Sequence, residues 1–286
     1  SPAQADRDGP RMNPKIGNHW YPVAMCSGIN APRETLLLGQ KITLGGQHGS
    51  FWVCNAEGTN LPVIERYGHL WTSPGQPNRD LFTIPEAEEP GRRLVDCGSI
   101  KLKCSPLRAV ENFLDVAHFP FVHTDILGAE PHTEVQRYDV KIREEVDEVW
   151  ATKVKFYQPQ AAQSADGGIT TDYMYRVAAP TVSVLYKTCP PRPGAWDVIT
   201  LFVQPLTEEW CEVWPLYDDT TPMAELVSFQ QMIFMQDRSI LESQIPAKLP
   251  LDPGMEAPTQ ADMTSVAYRR WLKKIGYTYG AQVVAA

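Results

Sequence analysis

The stretch that decides the fold of this chain is a short apolar segment that carries polar residues at helical spacing. It reads Glu111-Asn112-Phe113-Leu114-Asp115-Val116-Ala117-His118-Phe119-Pro120-Phe121-Val122-His123. Upstream, Ser105 and Pro106 form a helix start signal, because serine caps a first turn and proline suits the first helical position. Pro120 predicts that this helix ends near Phe119. The polar residues that recur on one side of the helix are Glu111, Asn112, Asp115 and His118.

The break at Pro120 bears on the direction of two histidines. On an unbroken helix, His118 and His123 would point in different directions, because each residue turns the helix by about 100°. A break between them lets the chain aim both imidazoles at one point, and converging neutral imidazoles are a common beginning of a metal site. The alternative is an ordinary amphipathic helix with a solvated face and two incidental histidines.

A third candidate ligand lies on a second helix, which starts at Thr221-Pro222 and runs to about Gln244. Its predicted apolar face consists of Leu226, Phe229, Ile233, Ile240 and Leu241. Asp237 falls within that face, and a buried carboxylate is costly unless a cation compensates it. That cation is a metal ion or an arginine such as Arg238 or Arg269, unless the helix frays and leaves the carboxylate in water. Two imidazoles and one carboxylate suit non-haem Fe(II), although zinc can bind the same set.

The composition indicates which kinds of partner and which cellular compartment to expect. The formal net charge of the 286 residues is -8, which argues against nucleic acid or an anionic membrane as the main partner. No apolar run approaches the length of a membrane span, and the polar residues 1–18 are predicted to be a disordered tail. Six scattered cysteines form no C-x-x-C pair, so we expect reduced thiols in a cytoplasmic protein.

The pattern along the chain predicts an α+β fold in two regions. Residues 19–85 contain short strands with glycine-rich turns, including Leu36–Leu44 and Tyr67–Trp71, and offer thin material for an independent core. From residue 86 onward the alternation and the short connections predict an antiparallel meander with one buried face, followed by a last helix over Ser265–Lys274. The strands predicted there are Leu94–Cys104, Thr133–Ile142, Val149–Tyr157, Thr171–Ala178, Val182–Thr188, Val198–Val203 and Trp210–Leu216.

Two details of this region are predicted as well. In the strand Val149–Tyr157, the alternation places Trp150, Thr152, Val154 and Phe156 on one side. The polar stretch Gln158–Gly168 is interpreted as a connection or a loop over a pocket.

Two motifs resemble those of the Rieske non-haem iron oxygenases. The first is Asn112-x-x-Asp115-x-x-His118-x-x-x-x-His123, and the second is Asp237-Arg238-Ser239-Ile240-Leu241-Glu242-Ser243-Gln244. In addition, Trp20–Val23 and Tyr67–Trp71 resemble the edges of the family's N-terminal Rieske domain. The resemblance implies a helix-grip (START-like) catalytic domain over residues 86–286 and a truncated Rieske-like β region over residues 19–85.

The sequence departs from the family between those edges. A Rieske cluster needs C-x-H and, further on, C-x-x-H. Cys54 alone falls near the expected place, and Arg66 stands three residues before His69, where a cysteine is required. We therefore expect no iron–sulfur cluster in this chain.

The resemblance also implies the chemistry. Fe(II) would be held by His118, His123 and Asp237, while Asp115 would hydrogen-bond an iron ligand and offer the electron route, and Asn112 would lie near the iron. With O2 as co-substrate, the expected reaction is hydroxylation leading to N-demethylation of a small aromatic or heterocycle such as a methylxanthine. Within the family, the chain is similar to methylxanthine N-demethylase subunits that lack their own cluster.

The missing cluster implies partners. Electrons from NAD(P)H would come through a reductase that carries a Rieske domain, and the assembly would be a homotrimer or a hetero-complex. Two other functions stay open, a non-catalytic helix-grip module that binds small molecules and a metal-dependent hydrolase with Asp115 as general base.

Overall fold

A computed structural model gives the structure of the chain and describes residues 12–115, 138–158, 169–188, 193–218, 223–252 and 262–283. The N-terminal part starts with the single-turn helix α1 (Pro14–Gly17) and contains two short 3-10 helices, Cys26–Gly28 and Pro85–Glu88. Its strands are β1 (Tyr21–Met25), β2 (Arg33–Leu37), β3 (Gln40–Gly45), β4 (Trp52–Asn55), β5 (Val63–Arg66) and β6 (His69–Thr72). They form two antiparallel three-stranded sheets with the orders β1-β6-β5 and β2-β3-β4.

The rest of the chain is built on one eight-stranded antiparallel sheet. Its strands are β7 (Leu94–Asp96), β8 (Ile100–Leu102), β9 (Asp139–Arg143), β10 (Glu148–Gln158), β11 (Ile169–Ala179), β12 (Val182–Thr188), β13 (Trp196–Pro205) and β14 (Cys211–Asp218). The order is β7-β14-β13-β12-β11-β10-β9, and β8 also pairs with β14. The predicted antiparallel meander is thus confirmed for the strands that the structure describes. The prediction of a single buried face is wrong, because side chains on both faces of β12 and β13 are buried.

Three helices accompany this sheet. They are α2 (Pro106–Leu114), α3 (Met223–Glu242) and α4 (Met263–Ile275). Two short strands, β15 (Leu249–Pro250) before α4 and β16 (Ala281–Gln282) after it, pair in parallel. Helix α2 packs on β12, β13 and β14, and α4 packs on β9 and β10. Helix α3 packs on α2 and on β7 and β8. We call the face of the sheet that α2 and α4 cover the inner face and the opposite face the outer face.

Each face has its own apolar core. The inner-face core contains alternate residues of the central strands, such as Tyr175 of β11 and Leu201 of β13, and it continues into the N-terminal strands. The outer-face core contains Phe202 of β13 together with Trp71 and Leu81 from the N-terminal part. The N-terminal region therefore shares its cores with the large sheet, as the thinness of its own apolar content suggested.

The end of α2 differs from the prediction. Its start at Pro106 is confirmed, but the helix ends at Leu114 rather than near Phe119. Asp115 is already extended, with φ -92° and ψ 114°. Asp115 therefore lies past the end of α2, and His118 lies outside the described residues.

Strand β10 corrects the predicted alternation. A register shift between Ala151 and Val154 marks a β-bulge, and Lys153 within it has a φ of 60°. The bulge adds one residue, so the side-chain alternation changes phase. Trp150 consequently packs on the outer face and Val154 on the inner face, so the prediction that they share a side is wrong.

Three smaller predictions are also wrong. The stretch Leu36–Leu44 forms a hairpin, with Leu38 and Gly39 at its turn, instead of one strand. Ile240 is exposed rather than part of the apolar face of α3. The disorder predicted through residue 18 does not hold from residue 12 onward, because α1 is bonded to the loop after β6 through Ser73, whose hydroxyl donates to the Gly17 carbonyl.

Candidate active site

Helix α2 is fixed at its start by the C-terminal end of the chain. The Ser105 hydroxyl accepts a hydrogen bond from the Leu107 N–H at 3.2 Å, which satisfies one of the free donors of the first turn. The same hydroxyl donates to the Gly280 carbonyl at 2.6 Å. Gly280 has a φ of 78°, and a Cβ there would lie 2.7 Å from the Ser105 Oγ. This close approach requires glycine and sets where α2 begins.

The far half of α2 is tied to α4 by a bidentate ion pair. Arg269 donates to both carboxylate oxygens of Glu111 at 2.6 Å each, a geometry that is stronger and more directional than a single contact. Arg269 was one candidate partner for Asp237, and Arg238, the other, bonds Glu242 on its own helix at 3.2 Å. Both arginines thus take part in other ion pairs.

The predicted residues Asn112 and Asp115 lie at the C-terminal end of α2. The Asp115 N–H donates to the Asn112 carbonyl at 3.2 Å and closes the last turn. From there the chain leads into the segment with His118 and His123, which lies outside the described residues. The structure therefore gives neither a distance nor a direction for the two predicted histidine ligands.

Asp237, the predicted carboxylate ligand, is buried on α3. It is 7% exposed, and Leu241 one turn further is buried with it. Since α3 packs on α2, the structure brings the helix that carries Asp237 against the helix that carries Asn112. Among the described residues, no three His, Cys, Asp or Glu side chains cluster closely enough to hold a metal, and two of the three predicted ligands lie outside that set.

Buried tyrosines of the inner face lie close to α2 and α4, and the sequence analysis did not single them out. Tyr175 of β11 is 1% exposed, meets Phe113 of α2 edge-on at 6.2 Å and stacks on Tyr173 at 6.3 Å between ring centroids. The Tyr138 hydroxyl accepts a hydrogen bond from the Thr264 N–H of α4 at 3.2 Å. The sequence does contain a signal for the two tyrosines of β11, because the period-2 pattern of a strand places Tyr173 and Tyr175 on one face.

Burial and a nearby negative charge act on Tyr175. Burial raises the pKa of Tyr175 well above its ordinary value, and the charge of Asp115 adds to the rise. The hydroxyl is therefore protonated at any physiological pH. The contact with Phe113 places Tyr175 beside the last turn of α2.

A cavity of about 550 Å³ lies elsewhere in the molecule. Its lining comes from α1, residues 78–83, the β9–β10 and β11–β12 turns, and α4, and it includes the buried pair Arg176 and Glu148. Neither Asn112 nor Asp115 nor Asp237 borders it. The described residues of the predicted site therefore do not line this cavity.

Within the described ranges, no helix combines the length and the apolar composition needed to cross a membrane.

The chain is similar to known demethylases in sequence. It is 43% identical over 274 residues, 94% of this chain and 97% of the relative, to a probable methylxanthine N7-demethylase, NdmC, of Pseudomonas sp. (strain TJI-51). It is 25% identical over 74% of its length, and 59% of the relative's, to the methylxanthine N1-demethylase NdmA of Pseudomonas putida.

Solved structures show the same fold. NdmA of Pseudomonas putida CBB5, in a mutant form with caffeine, superposes with a TM-score of 0.71 at 15% identity, covering 91% of this chain and 92% of the other. Dicamba monooxygenase bound to 3,6-dichlorosalicylic acid superposes with a TM-score of 0.73 at 16% identity, covering 91% and 97%. Residues 102–276 match the family described as the vanillate O-demethylase oxygenase C-terminal domain. The predicted membership is confirmed, and the chain belongs to the Rieske non-haem iron oxygenases.

Proposed function

We propose that this chain is the catalytic subunit of an O2-dependent mononuclear non-haem iron oxygenase that N-demethylates a small heterocycle, a methylxanthine in the first instance. The observation that carries the proposal is the buried carboxylate of Asp237 on a helix packed against α2, whose C-terminal end holds Asn112 and Asp115. The 43% identity to a probable methylxanthine N7-demethylase supports the substrate class.

The proposed iron ligands are His118, His123 and Asp237. Two imidazoles and a carboxylate are the donor set of non-haem Fe(II) oxygenases, and the burial of Asp237 fits a ligand better than a solvated carboxylate. When bound, Fe(II) would supply the activation of O2 for insertion of one oxygen atom into an N-methyl C–H bond. Hydroxylation of the methyl group would then release formaldehyde, and the second oxygen atom would leave as water.

The chain's own residues would orient this site. Asp115 is proposed to hydrogen-bond one of the iron ligands and to mark the electron entry point, and Asn112 to lie near the iron. Both positions depend on α2, which Ser105 fixes at its start and the Glu111–Arg269 pair fixes near its end.

We also propose that the chain carries no iron–sulfur cluster and that residues 19–85 are the remnant of a Rieske domain. In support, Arg66 stands three residues before His69, where a Rieske cluster needs a cysteine. His69 is enclosed by Trp71, Phe202 and Trp214, so it is packed as a core residue.

Turnover would then depend on a partner. The proposed partner is a reductase with a Rieske domain that passes electrons from NAD(P)H, in a homotrimer or a hetero-complex in the cytoplasm. The catalytic part, residues 86–286, is proposed to have the helix-grip arrangement, which agrees with helices packed on one face of an antiparallel sheet.

Metal content of anaerobically purified protein tests the proposal. We expect about one iron per chain in the wild type and almost none in Asp237→Ala or His118→Ala, because loss of one ligand in three weakens the site strongly. Glu242→Ala is the matched control, since Glu242 is an exposed carboxylate on the same helix. Addition of a Rieske-type reductase, NAD(P)H and caffeine should then yield formaldehyde in the wild type alone.

Other outcomes identify the rival functions. Zinc held by the same residues, with iron unable to replace it, would indicate a metal-dependent hydrolase. A folded protein that binds neither metal would indicate a non-catalytic binding module.

A further inference from the structure

The hydroxyl of Tyr175 is a buried polar group without a hydrogen-bond partner among the described residues. An unbonded buried hydroxyl lowers the stability of a fold, because water is lost and nothing replaces its hydrogen bonds. A phenylalanine would fill the same space without that cost. The presence of tyrosine at this position therefore calls for a function of the oxygen atom.

The surroundings of Tyr175 indicate what that function is. Its ring contacts Phe113, the residue between Asn112 and Leu114 in the last turn of α2. Burial raises the pKa of its hydroxyl, and the neighbouring Tyr173 and the charge of Asp115 add to the rise. The Nε2 of His69 and the Nε1 of Trp150, two other buried polar atoms that lack a partner, lie on the outer face of the sheet. Tyr175 lies on the inner face beside the last turn of α2, where its ring contacts Phe113.

We propose that Tyr175 is a specificity-determining residue, whose hydroxyl donates a hydrogen bond to a carbonyl oxygen or ring nitrogen of the bound substrate. This inference rests on the proposed function and narrows its substrate class to aromatic heterocycles that carry such an acceptor. The hydroxyl is protonated, because burial keeps its pKa well above the ordinary value of a tyrosine. It can therefore donate.

The oxygen is enclosed when no ligand is bound, so ligand binding includes a small rearrangement of its neighbours, as side chains commonly undergo on binding. A site built to bond a polar atom discriminates strongly against an analogue that lacks it, since the polar group of the protein is then left unpaired. Tyr175 would in this way separate methylxanthine-like ligands from plain aromatics of the same size.

The test is a ligand titration of the iron-loaded protein without reductase. The probes are caffeine, which has carbonyl and ring-nitrogen acceptors, and N-methylindole, a bicyclic N-methyl aromatic without them. For Tyr175→Phe we expect the Kd of caffeine to rise about tenfold, which is about 1.4 kcal/mol, and the Kd of N-methylindole to stay unchanged. Equal Kd changes for both probes, or none for caffeine, would overturn the inference.

A second measurement on the ligand-free protein excludes a purely structural role. Tyr268 is the matched control, because it is equally buried on the same side of the sheet but its hydroxyl donates to the Pro180 carbonyl at 2.6 Å. Tyr268→Phe should lower the melting temperature, whereas Tyr175→Phe should leave it unchanged or raise it. A loss in Tyr175→Phe as large as that in Tyr268→Phe would mean that the hydroxyl has a structural partner, and would contradict the proposal.

These outcomes stay distinct from those of the proposed function. A wild type that holds iron and turns over with its reductase, yet binds caffeine no better than N-methylindole, refutes the role of Tyr175 alone. A wild type that binds no iron refutes the oxygenase, whatever the titrations show.

Discussion

Two neighbouring residues of β11, Tyr175 and Arg176, show how differently the two faces of the central sheet are built. On the outer face, the Nε–H of Arg176 donates to both oxygens of Glu148 at 2.6 and 2.8 Å, and its guanidinium lies 5.5 Å from the ring of Trp150. On the inner face, the hydroxyl of Tyr175 is buried and makes no hydrogen bond within the described chain.

The two residues thus differ in role: Arg176 contributes to the stability of the fold, and Tyr175 is proposed to contribute to ligand recognition. Arg176 and Glu148 are both buried, so each needs the other to compensate its charge. They lie where the N-terminal part covers the sheet, and Phe82 of that part reaches the same guanidinium. The Arg176–Glu148 pair thus stabilises the outer face, whereas the hydroxyl of Tyr175 on the inner face is proposed to bond a ligand.

The largest effect is expected from breaking the buried ion pair on the outer face. Arg176→Met leaves the Glu148 carboxylate buried without its charge partner, which typically costs about 3–5 kcal/mol in the free energy of unfolding. Urea denaturation measures the loss. Arg238→Met is the control, because Arg238 forms an exposed i,i+4 pair with Glu242 that is worth roughly 0.3–0.5 kcal/mol.

A double variant sharpens this prediction. Arg176→Met combined with Glu148→Leu should recover most of the lost stability, since replacing both charges with apolar groups removes the unpaired carboxylate. If Arg176→Met costs no more than Arg238→Met, the outer face does not depend on the pair, and the contrast between the two faces disappears.

A smaller, pH-dependent effect is expected from His69, also on the outer face. Burial lowers its pKa to about 4, although the hydrogen bond that its Nδ1–H donates to the Tyr67 carbonyl partly opposes this. Between pH 6.5 and 4, the unfolded chain binds a proton at His69 that the folded chain excludes, so stability falls as the pH falls. The loss is about 3 kcal/mol over that window and stops below about pH 4.

Urea denaturation at pH 7.5, 6, 5 and 4 checks this sign and size. His69→Leu removes the titrating group, so its stability should decrease less between pH 6.5 and 4 than that of the wild type, even where its stability at pH 7.5 is lower. Parallel pH curves for the two proteins would show that His69 is accessible to protons in the folded state.

The sequence predicted those elements whose signals are local. Ser105 and Pro106 mark the start of α2 because capping depends on a few adjacent residues. Strand β12 begins and ends where its apolar pattern does, at Val182 and Thr188. The burial of Asp237 also follows from helical periodicity alone.

Features that depend on distant parts of the chain were not predicted. Helix α2 ends at Leu114 although no proline or glycine stands there, so its end is set by tertiary packing rather than by local propensity. The role proposed for Tyr175 rests on its contact with Phe113, which lies more than 50 positions away in the sequence, and spacing along a strand does not indicate such a neighbour. Whether His118 and His123 meet Asp237 stays a prediction.

The bulge in β10 is the third feature missed, and it determines which side chains of that strand reach which face. The backbone of Lys153 has a left-handed conformation there, which costs an L-residue about 1–2 kcal/mol and glycine almost nothing.

Lys153→Gly should therefore raise the free energy of unfolding by roughly 0.5 kcal/mol. The entropy that glycine loses on folding offsets part of the gain, and the exposed contact of Lys153 with Asp139 contributes little. Lys155→Gly, two residues further in the same exposed row but with an ordinary backbone, should lower it by roughly 0.5–1 kcal/mol. If urea denaturation gives changes of opposite sign for the two variants, the change of side-chain alternation in β10 is located at Lys153. Equal losses of stability would mean that the strand has no left-handed residue there, and that Trp150 and Val154 need another reason to face opposite sides.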